Sequence, residues 1–368
     1  MLDKRWGLWY NAKSAIGCTF LKGGLYLKKI TIYELARELN MTPSMVSRAL
    51  SPNGKVRADK RELVLQAAKK HGFVPNSFAS RLSMKSIRIG IIIRTLFHVN
   101  CEKMIAAIKS AYNEICDYKI EYDIKLIDAH NERLEETQQT ILSYADHDGL
   151  IVAGLSAEKY SPALNAFYEK NKNLVQVQSV NENLPCLFSS KHDEKTAAEM
   201  AAEFLSACLK RSEQKNILLL TGDLNSALHK SAAEAFASAC KKRGLCLVES
   251  FDMHDSEELL ASTIGQIFDR HGEKIDGIYT TSGISAPLCE YLEKNGLSPF
   301  VVAFDTHSAI REYLKKGIVT ATISQDVTGQ MKNAFRALTL YIVKGETMPK
   351  IIFSDIRLVL QSNSYLFD

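Results

Sequence analysis

The chain has 368 residues, room for two or three domains, and its 46% hydrophobic and 24% charged content is that of an ordinary globular protein. No run of about 18 uninterrupted apolar residues occurs, which excludes a transmembrane helix, and eight scattered cysteines without a Cys-x-x-Cys pair argue against disulfides or zinc. The net charge of +4 is unevenly divided: between Lys28 and Arg94 there are 14 Lys and Arg against four acids, whereas residues 95–368 hold 28 against 37.

A small basic head on an acidic body suits a DNA-binding module joined to a separate domain, the alternative being a solvated basic face without a partner. Residues 1–29 mix Trp6, Trp9, Lys13 and Lys22 with glycine and never build the apolar centre of a signal peptide, so a cytoplasmic protein is expected. They have neither a helical period nor strand alternation, and they read as a non-native or disordered extension. The codons for Lys22-Gly23-Gly24 can spell a ribosome-binding sequence, and Leu27 followed by Lys28-Lys29-Ile30 fits an alternative TTG start. The other possibility is a genuine arm on the head.

Residues 30–76 read as three short helices. The first, over 30–39, opens with a capping box of Thr31 and Glu34 and repeats Ile32, Leu35, Ala36 and Leu39 at helical spacing. After a turn at Asn40-Met41, Thr42-Pro43 starts the second, with Met45, Val46, Ala49 and Leu50 inward and Ser44, Ser47 and Arg48 on the other side. The third runs from about residue 59 to 71, with Leu63, Val64, Ala67 and Ala68 inward and Gly72 as its stop. Two short helices about a tight turn, the second with small polar residues near its start, form a helix-turn-helix that lays a helix in the major groove.

The stretches Ile30-Thr31-Ile32-Tyr33-Glu34-Leu35-Ala36, Met41-Thr42-Pro43-Ser44-Met45-Val46-Ser47-Arg48-Ala49-Leu50 and His71-Gly72-Phe73-Val74-Pro75-Asn76 resemble the head of the lactose-repressor (LacI/GalR) family. The resemblance implies a DNA-binding head, a hinge helix over 77–86, and a body folded like a periplasmic sugar-binding protein. It places Pro43, Ser44 and Arg48 against base edges, and Thr31, Tyr33, Thr42 and Ser47 against backbone or groove walls. Arginine can grip guanine bidentately, whereas hydroxyls mostly position the module on phosphates. Asn76 opens the implied hinge, and Leu82 falls where the family wedges a leucine into the minor groove. Arg57 departs from the pattern, because the family usually caps the third helix with Ser or Thr.

From Ile87 onward, apolar runs at 87–93, 124–127, 149–153, 174–177, 217–220, 277–279 and 300–304 alternate with helical patterns at 101–115, 134–144, 196–209, 232–242 and 259–271. Alternation of this kind means parallel sheets with covered faces, and two such halves suggest a ligand cleft near the strands' carboxyl ends. The fold class is therefore α/β: a small all-α helix-turn-helix head plus a bilobed body of two parallel-sheet lobes. Lobe one is expected over about 87–187 and 326–352, lobe two over about 188–325 and 353–368.

By the resemblance, Asp305 and Gln325 fall where sugar-binding relatives set a carboxylate and a carboxamide against hydroxyls, a pairing that suits a polyol. The same two residues also suit a helix cap and a brace of the lobe crossover. His98 falls where relatives place a ligand-facing amide. The family's ligand arginine falls near Ala232, its strand-end Asp near Ser179 and its Asn-Asp pair near Ser282-Gly283; these losses argue against an ordinary monosaccharide and leave open a phosphosugar, a larger saccharide or a non-sugar effector. No dinucleotide, Walker, nucleophile-elbow or metal-spaced histidine motif is present, so no catalytic residue, metal or cofactor is assigned. The expectation is a transcription regulator, acting as a repressor, that binds double-stranded operator DNA as a homodimer and a carbohydrate effector, with no membrane partner. The alternatives are a transport solute-binding protein, a regulator answering to a non-sugar metabolite, and an enzyme with a regulatory head.

Overall fold

The computed structural model describes residues 30–50, 54, 56–71, 73, 86–95, 98–115, 118–271 and 274–367, less the side chain of His98. The expected extension over 1–29 and the implied hinge up to residue 85 lie outside them. The chain divides into a head unit, residues 1–80, and a body unit, residues 81–368.

In the head, the Thr31 hydroxyl accepts from the Glu34 amide while the Glu34 carboxylate accepts from the Thr31 amide at 2.8 Å, so the capping box starts α1 (Ile32–Glu38). Asn40 turns the chain with φ of 49°, and α2 (Pro43–Leu50) follows, its first turn capped by the Thr42 hydroxyl accepting from the Met45 amide at 3.3 Å. Helix α3 (Ala58–Lys70) starts at Arg57 without a side-chain cap, because a guanidinium has no lone pair to offer; it pairs with Asp59 at 3.0 Å instead. Leu35, Ala36, Val46, Ala49, Val64, Ala67 and Ala68 close the small core. Leu63, read as inward from the sequence, is 52% exposed, because the buried stripe runs through positions 64, 67 and 68 and turns residue 63 outward.

The body is built on two six-stranded sheets with the same internal order. Strands β1 (Ile87–Thr95), β2 (Ile120–Asp128), β3 (Gly149–Ala153), β4 (Leu174–Val177) and β5 (Phe188–Lys191) lie as β2-β1-β3-β4-β5, and β11 (Ile351–Phe353) extends the sheet beside β5. All five pairings are parallel. In the second sheet β6 (Asn216–Thr221), β7 (Cys246–Asp252), β8 (Gly277–Thr280), β9 (Phe300–Phe304) and β10 (Ala321–Gln325) repeat the arrangement, and β12 (Ile356–Val359) closes it antiparallel to β10. Ile89, Ile91, Ile92 and Ile93 are fully buried because helices cover both faces of a parallel sheet.

Of the covering helices, α4 (His98–Glu114), α5 (Leu134–Ser143), α7 (Glu194–Cys208), α8 (Ala227–Arg243) and α9 (Glu257–His271) coincide with the helical patterns named from the sequence, while α6 (Ser161–Asn171), α10 (Ala286–Asn295), α11 (Ser308–Lys316) and α12 (Val327–Lys344) lie outside those ranges. The strands outside the apolar runs are β5, β7, β10, β11 and β12: β7, β11 and β12 are sheet edges where no apolar run is required, and β5 and β10 are interrupted by Ser189, Ser190, Thr322 and Ser324. Strand β5 pairs with β4, so the first sheet extends through Lys191 and takes in residues 188–191, which the sequence pattern assigns to lobe two. Helix α12 packs Val327, Met331, Phe335 and Leu338 into the core of the first lobe.

Gly90 lies in the middle of β1 against the ring of Tyr144, which is held in place by its hydroxyl donating to Asp123 at 3.0 Å. A methyl group there would overlap the ring. Gly90→Ala is expected to cost about 1–3 kcal/mol through overpacking, seen as a lower urea midpoint at unchanged m-value. A midpoint equal to the wild type would mean that the Tyr144 ring yields.

Candidate functional site

The head exposes one polar face on α2. Thr42, Ser44, Ser47 and Arg48 are exposed and Pro43 half-buried, while Val46 and Ala49 are buried behind them. The Thr42 and Ser44 hydroxyls lie 3.1 Å apart, and the Arg48 Nε–H donates to the Ser44 carbonyl at 3.3 Å, leaving the rest of the guanidinium at the end of the helix. Tyr33 is 71% exposed on α1. The Thr31 hydroxyl is engaged with Glu34 in its capping box. Asn76 and Leu82 lie outside the described residues.

In the body, the carboxyl ends of the two sheets enclose a cleft of about 620 Å³, within the usual range for small-ligand sites. Gly154 ends β3 with φ of 74° at a close approach to the Arg94 carbonyl, where a side chain would collide with backbone. On this wall the Glu132 carboxylate, 4% exposed, accepts from Arg94 Nε at 2.8 Å, Tyr160 OH at 2.7 Å, Thr137 Oγ1 at 3.0 Å and Lys159 Nζ at 3.3 Å. Burial works against its charge, but the bonds from Tyr160 and Arg94 outweigh burial and hold the carboxyl below its ordinary value.

The opposite wall is the β6–α8 turn with the ends of β7 and β8. Three consecutive amides are filled by the protein's own carboxylates: Asp223 N–H donates to Asp255 at 3.4 Å, Leu224 N–H to Asp252 at 3.2 Å and Asn225 N–H to Asp223 at 2.9 Å. Asp255 also accepts from Ser282 Oγ at 2.7 Å and lies 3.5 Å from His229 Nε2, whose Nδ1 is 2.9 Å from Thr281 Oγ1. Burial alone would raise the Asp255 pKa; His229 and Ser282 bring it down to about 2.

Asp305 sits at the end of β9 with φ of 66°, and its carboxylate accepts from Gln325 Nε2 at 3.4 Å. Burial raises its pKa in spite of that bond. The Gln325 carbonyl accepts in turn from Gln330 Nε2 at 3.2 Å, so Gln325 lines the cleft and braces the crossover at once. Gln178, His254, Asp255 and Asp305 all line the cleft and all hold left-handed backbone, a costly conformation for residues other than glycine. His192, on the first crossover, is 1% exposed, stacks on Phe304 at 5.3 Å and leaves its Nδ1 without a partner. Asp223, Asp252 and His254 bring ligand atoms within 4.8 Å of one another at the rim, but these groups satisfy one another and the turn amides. Among the described residues, no helix is long and apolar enough to cross a membrane.

Residues 31–76 match the model of bacterial regulatory proteins of the lacI family, and residues 102–347 match the periplasmic binding protein domain. The chain belongs to the periplasmic binding protein domain family and carries a head of the lacI family. Similar curated lacI-type relatives include the HTH-type transcriptional regulator pepR1 of Lactobacillus delbrueckii subsp. lactis, 26% identical over 55% of this chain and 58% of that protein. Catabolite control protein A of Priestia megaterium is 24% identical over 60% of this chain and 64% of that protein. The match thus spans less than two thirds of these relatives. Among solved structures, the body is similar in fold to GanP, a glucose-galactose binding protein from Geobacillus stearothermophilus, with TM-score 0.68 and 18% identity over 76% of this chain and 99% of that one. A solute-binding protein from Burkholderia graminis in complex with D-arabinose gives TM-score 0.67 at 17% identity, covering 75% and 96%.

In this periplasmic-binding-protein body, Ser179, Ser282, Asp305 and Gln325 all line the cleft, and His98 begins α4 with its side chain outside the described residues. Sequence reasoning missed Arg94, Glu132, His192, His229 and Asp255. The signal for most of them was position: each follows or ends a strand at its carboxyl edge, where α/β ligand sites form.

Burial holds the His192 imidazole neutral, with its pKa down to about 4. The folded value lies below the unfolded one, so the unfolded chain takes up the proton first as pH falls. Stability contributed by this residue is complete above about pH 6.5 and declines toward pH 4, by up to about 3 kcal/mol. Urea unfolding between pH 7 and pH 4.5 should show a shallower decline in His192→Gln than in the wild type. Equal declines would show that the folded imidazole protonates freely.

Proposed function

We propose that this chain is a DNA-binding transcription regulator, acting as a repressor, whose body binds a carbohydrate effector between its lobes. The observation that carries the reading is the pairing of an exposed polar face on α2, in a head matching the lacI family, with a cleft of sugar-binding-protein fold in the same chain. The similar structures are described as glucose-galactose and D-arabinose binding proteins, which favours a saccharide. A transport role for the body would leave the basic head without a purpose.

The functional layout is a head over 30–76, a hinge over 77–86 and an effector body over 87–368. Base reading falls to Ser44 and Arg48 with apolar contact from Pro43, while Thr31, Tyr33, Thr42 and Ser47 position the head on the backbone. Asn76 and Leu82 serve the hinge and the minor-groove wedge. One helix-turn-helix reads only a few base pairs, so the protein works as a homodimer in the cytoplasm on a pseudo-palindromic operator. In the cleft, Asp305 and Gln325 bind hydroxyls, with Ser179, Ser282 and His98 around them.

Arg48→Ala is expected to lose about 1–3 kcal/mol of operator affinity and to relax specificity at one base pair. Titration against operator and random duplexes checks it, and equal losses on both would reduce Arg48 to a phosphate clamp. Asp305→Ala should remove the effector response while operator affinity without effector is retained, since head and cleft belong to separate units. A variant that keeps the wild-type effector Kd would place binding elsewhere.

A further inference from the structure

The β6–α8 turn occupies the place where doubly wound folds bind phosphate. It follows the first strand of the second sheet at the switch point between β6 and β8, and it leads into the N-terminus of a 17-residue helix. A run of backbone amides in such a turn is ordinarily a cradle for an anion. Here the three amides of the turn itself are already filled, although the helix that follows starts at Ala227 without a side-chain cap from Ser226. The amides of Asp223, Leu224 and Asn225 each donate to a carboxylate oxygen of Asp255, Asp252 and Asp223 respectively.

The side chains repeat the message. Arg94 and Lys159 are the arginine and lysine among the described residues that line the cleft, and both are bonded to Glu132. The carboxylates of Glu158, Asp223, Asp255 and Asp305 line the same space. Lys103 and Arg357 line an adjoining recess together with Asp305, Asp326 and Asp355, and Arg357 is paired with Asp355 at 3.3 Å. An anionic ligand entering this cleft would meet four carboxylates and a turn whose amides are taken, at short range and in a partly desolvated space where repulsion is strong. A ligand that brings hydrogen-bond donors meets the opposite situation: the Asp305 carboxylate lines the cleft as an acceptor, beside His192 whose buried Nδ1 has no partner.

We infer that the effector is a saccharide without phosphate or carboxylate, neutral or carrying a protonated amine, because the anion cradle of the second lobe is occupied by Asp223, Asp252 and Asp255. The inference deepens the carbohydrate reading above and rests on it. It also sets the specificity of the cleft: the carboxylates that hold the turn together are the groups that reject phosphorylated sugars.

The test is calorimetric titration of the full chain, at low ionic strength, with a panel of hexoses, pentoses, disaccharides and larger oligosaccharides, each offered as the parent sugar, the amino sugar and the phosphate ester. For the sugar that binds, the phosphate ester is expected to bind at least about tenfold more weakly than the parent, and the amino sugar at least as tightly. Asp223→Asn, at a partly exposed position, and Asp255→Asn should each narrow the gap between parent and phosphate ester. A phosphate ester that binds as tightly as its parent overturns the inference and leaves the carbohydrate reading standing. A gap unchanged in Asp223→Asn, the variant whose fold is least at risk, also overturns it, since the rejection would then not come from the filled cradle. Failure of every sugar, amine and ester to bind removes the carbohydrate reading itself, and this inference with it.

Discussion

The body depends on three chain crossings that lie side by side and hydrogen-bond to one another. The chain leaves the first sheet after Lys191, returns after Gln325 and crosses once more between β11 and β12. Ser354 N–H donates to the Lys191 carbonyl at 2.9 Å, and Asp326 N–H donates to the Asp355 carbonyl at 3.1 Å, so each crossing is bonded to a neighbour. Gln330 at the start of α12 adds side-chain bonds to Gln325 and Ser354, while its own backbone carbonyl accepts from Ser190 Oγ at 2.9 Å. Buried backbone in an irregular segment has to be paired somewhere, and here the pairing joins the two lobes.

This constraint places the chemistry. Because both sheets run parallel up to their last strands, every strand-to-helix turn that faces the other lobe comes from a carboxyl end. The strained backbone of Gln178, His254, Asp255 and Asp305 lies along that edge. Asp305 and Gln325 stand at the second crossing, and His192 stands at the first. Residues that line the cleft are therefore also residues that hold the lobes.

Charge is divided with the same economy. The N-terminal part of the sequence holds the basic surplus, mostly in segments flanking the short helices, and the small helical core of Leu35, Val46, Val64 and neighbours leaves the outer faces polar. The body keeps its arginine and lysine at the cleft tied to Glu132 and leaves carboxylates facing the space. The two units thus favour partners of opposite character, polyanionic DNA for one and a donor-rich small molecule for the other.

Much of this was legible from residues alone. The Thr31–Glu34 capping box, the Thr42-Pro43 start and the Val46 and Ala49 stripe define the head, because helix caps and short-range periodicity are local. The isoleucines of β1 and the apolar runs of β3, β4 and β9 declare buried parallel strands for the same reason. Edge strands such as β7, and α12 whose long apolar face follows a crossing, needed neighbours to be seen. The sequence by itself determined a basic helix-turn-helix head, an alternating α/β body and Asp305 with Gln325 as cleft candidates. Only the tertiary structure decided the sign of the cleft. Glu132 lies 38 residues from Arg94 and 28 from Tyr160, and Asp255 and Asp252 lie 32 and 28 residues from the amides they fill. No local pattern links groups so far apart in the chain; parallel strand order brings them to one edge.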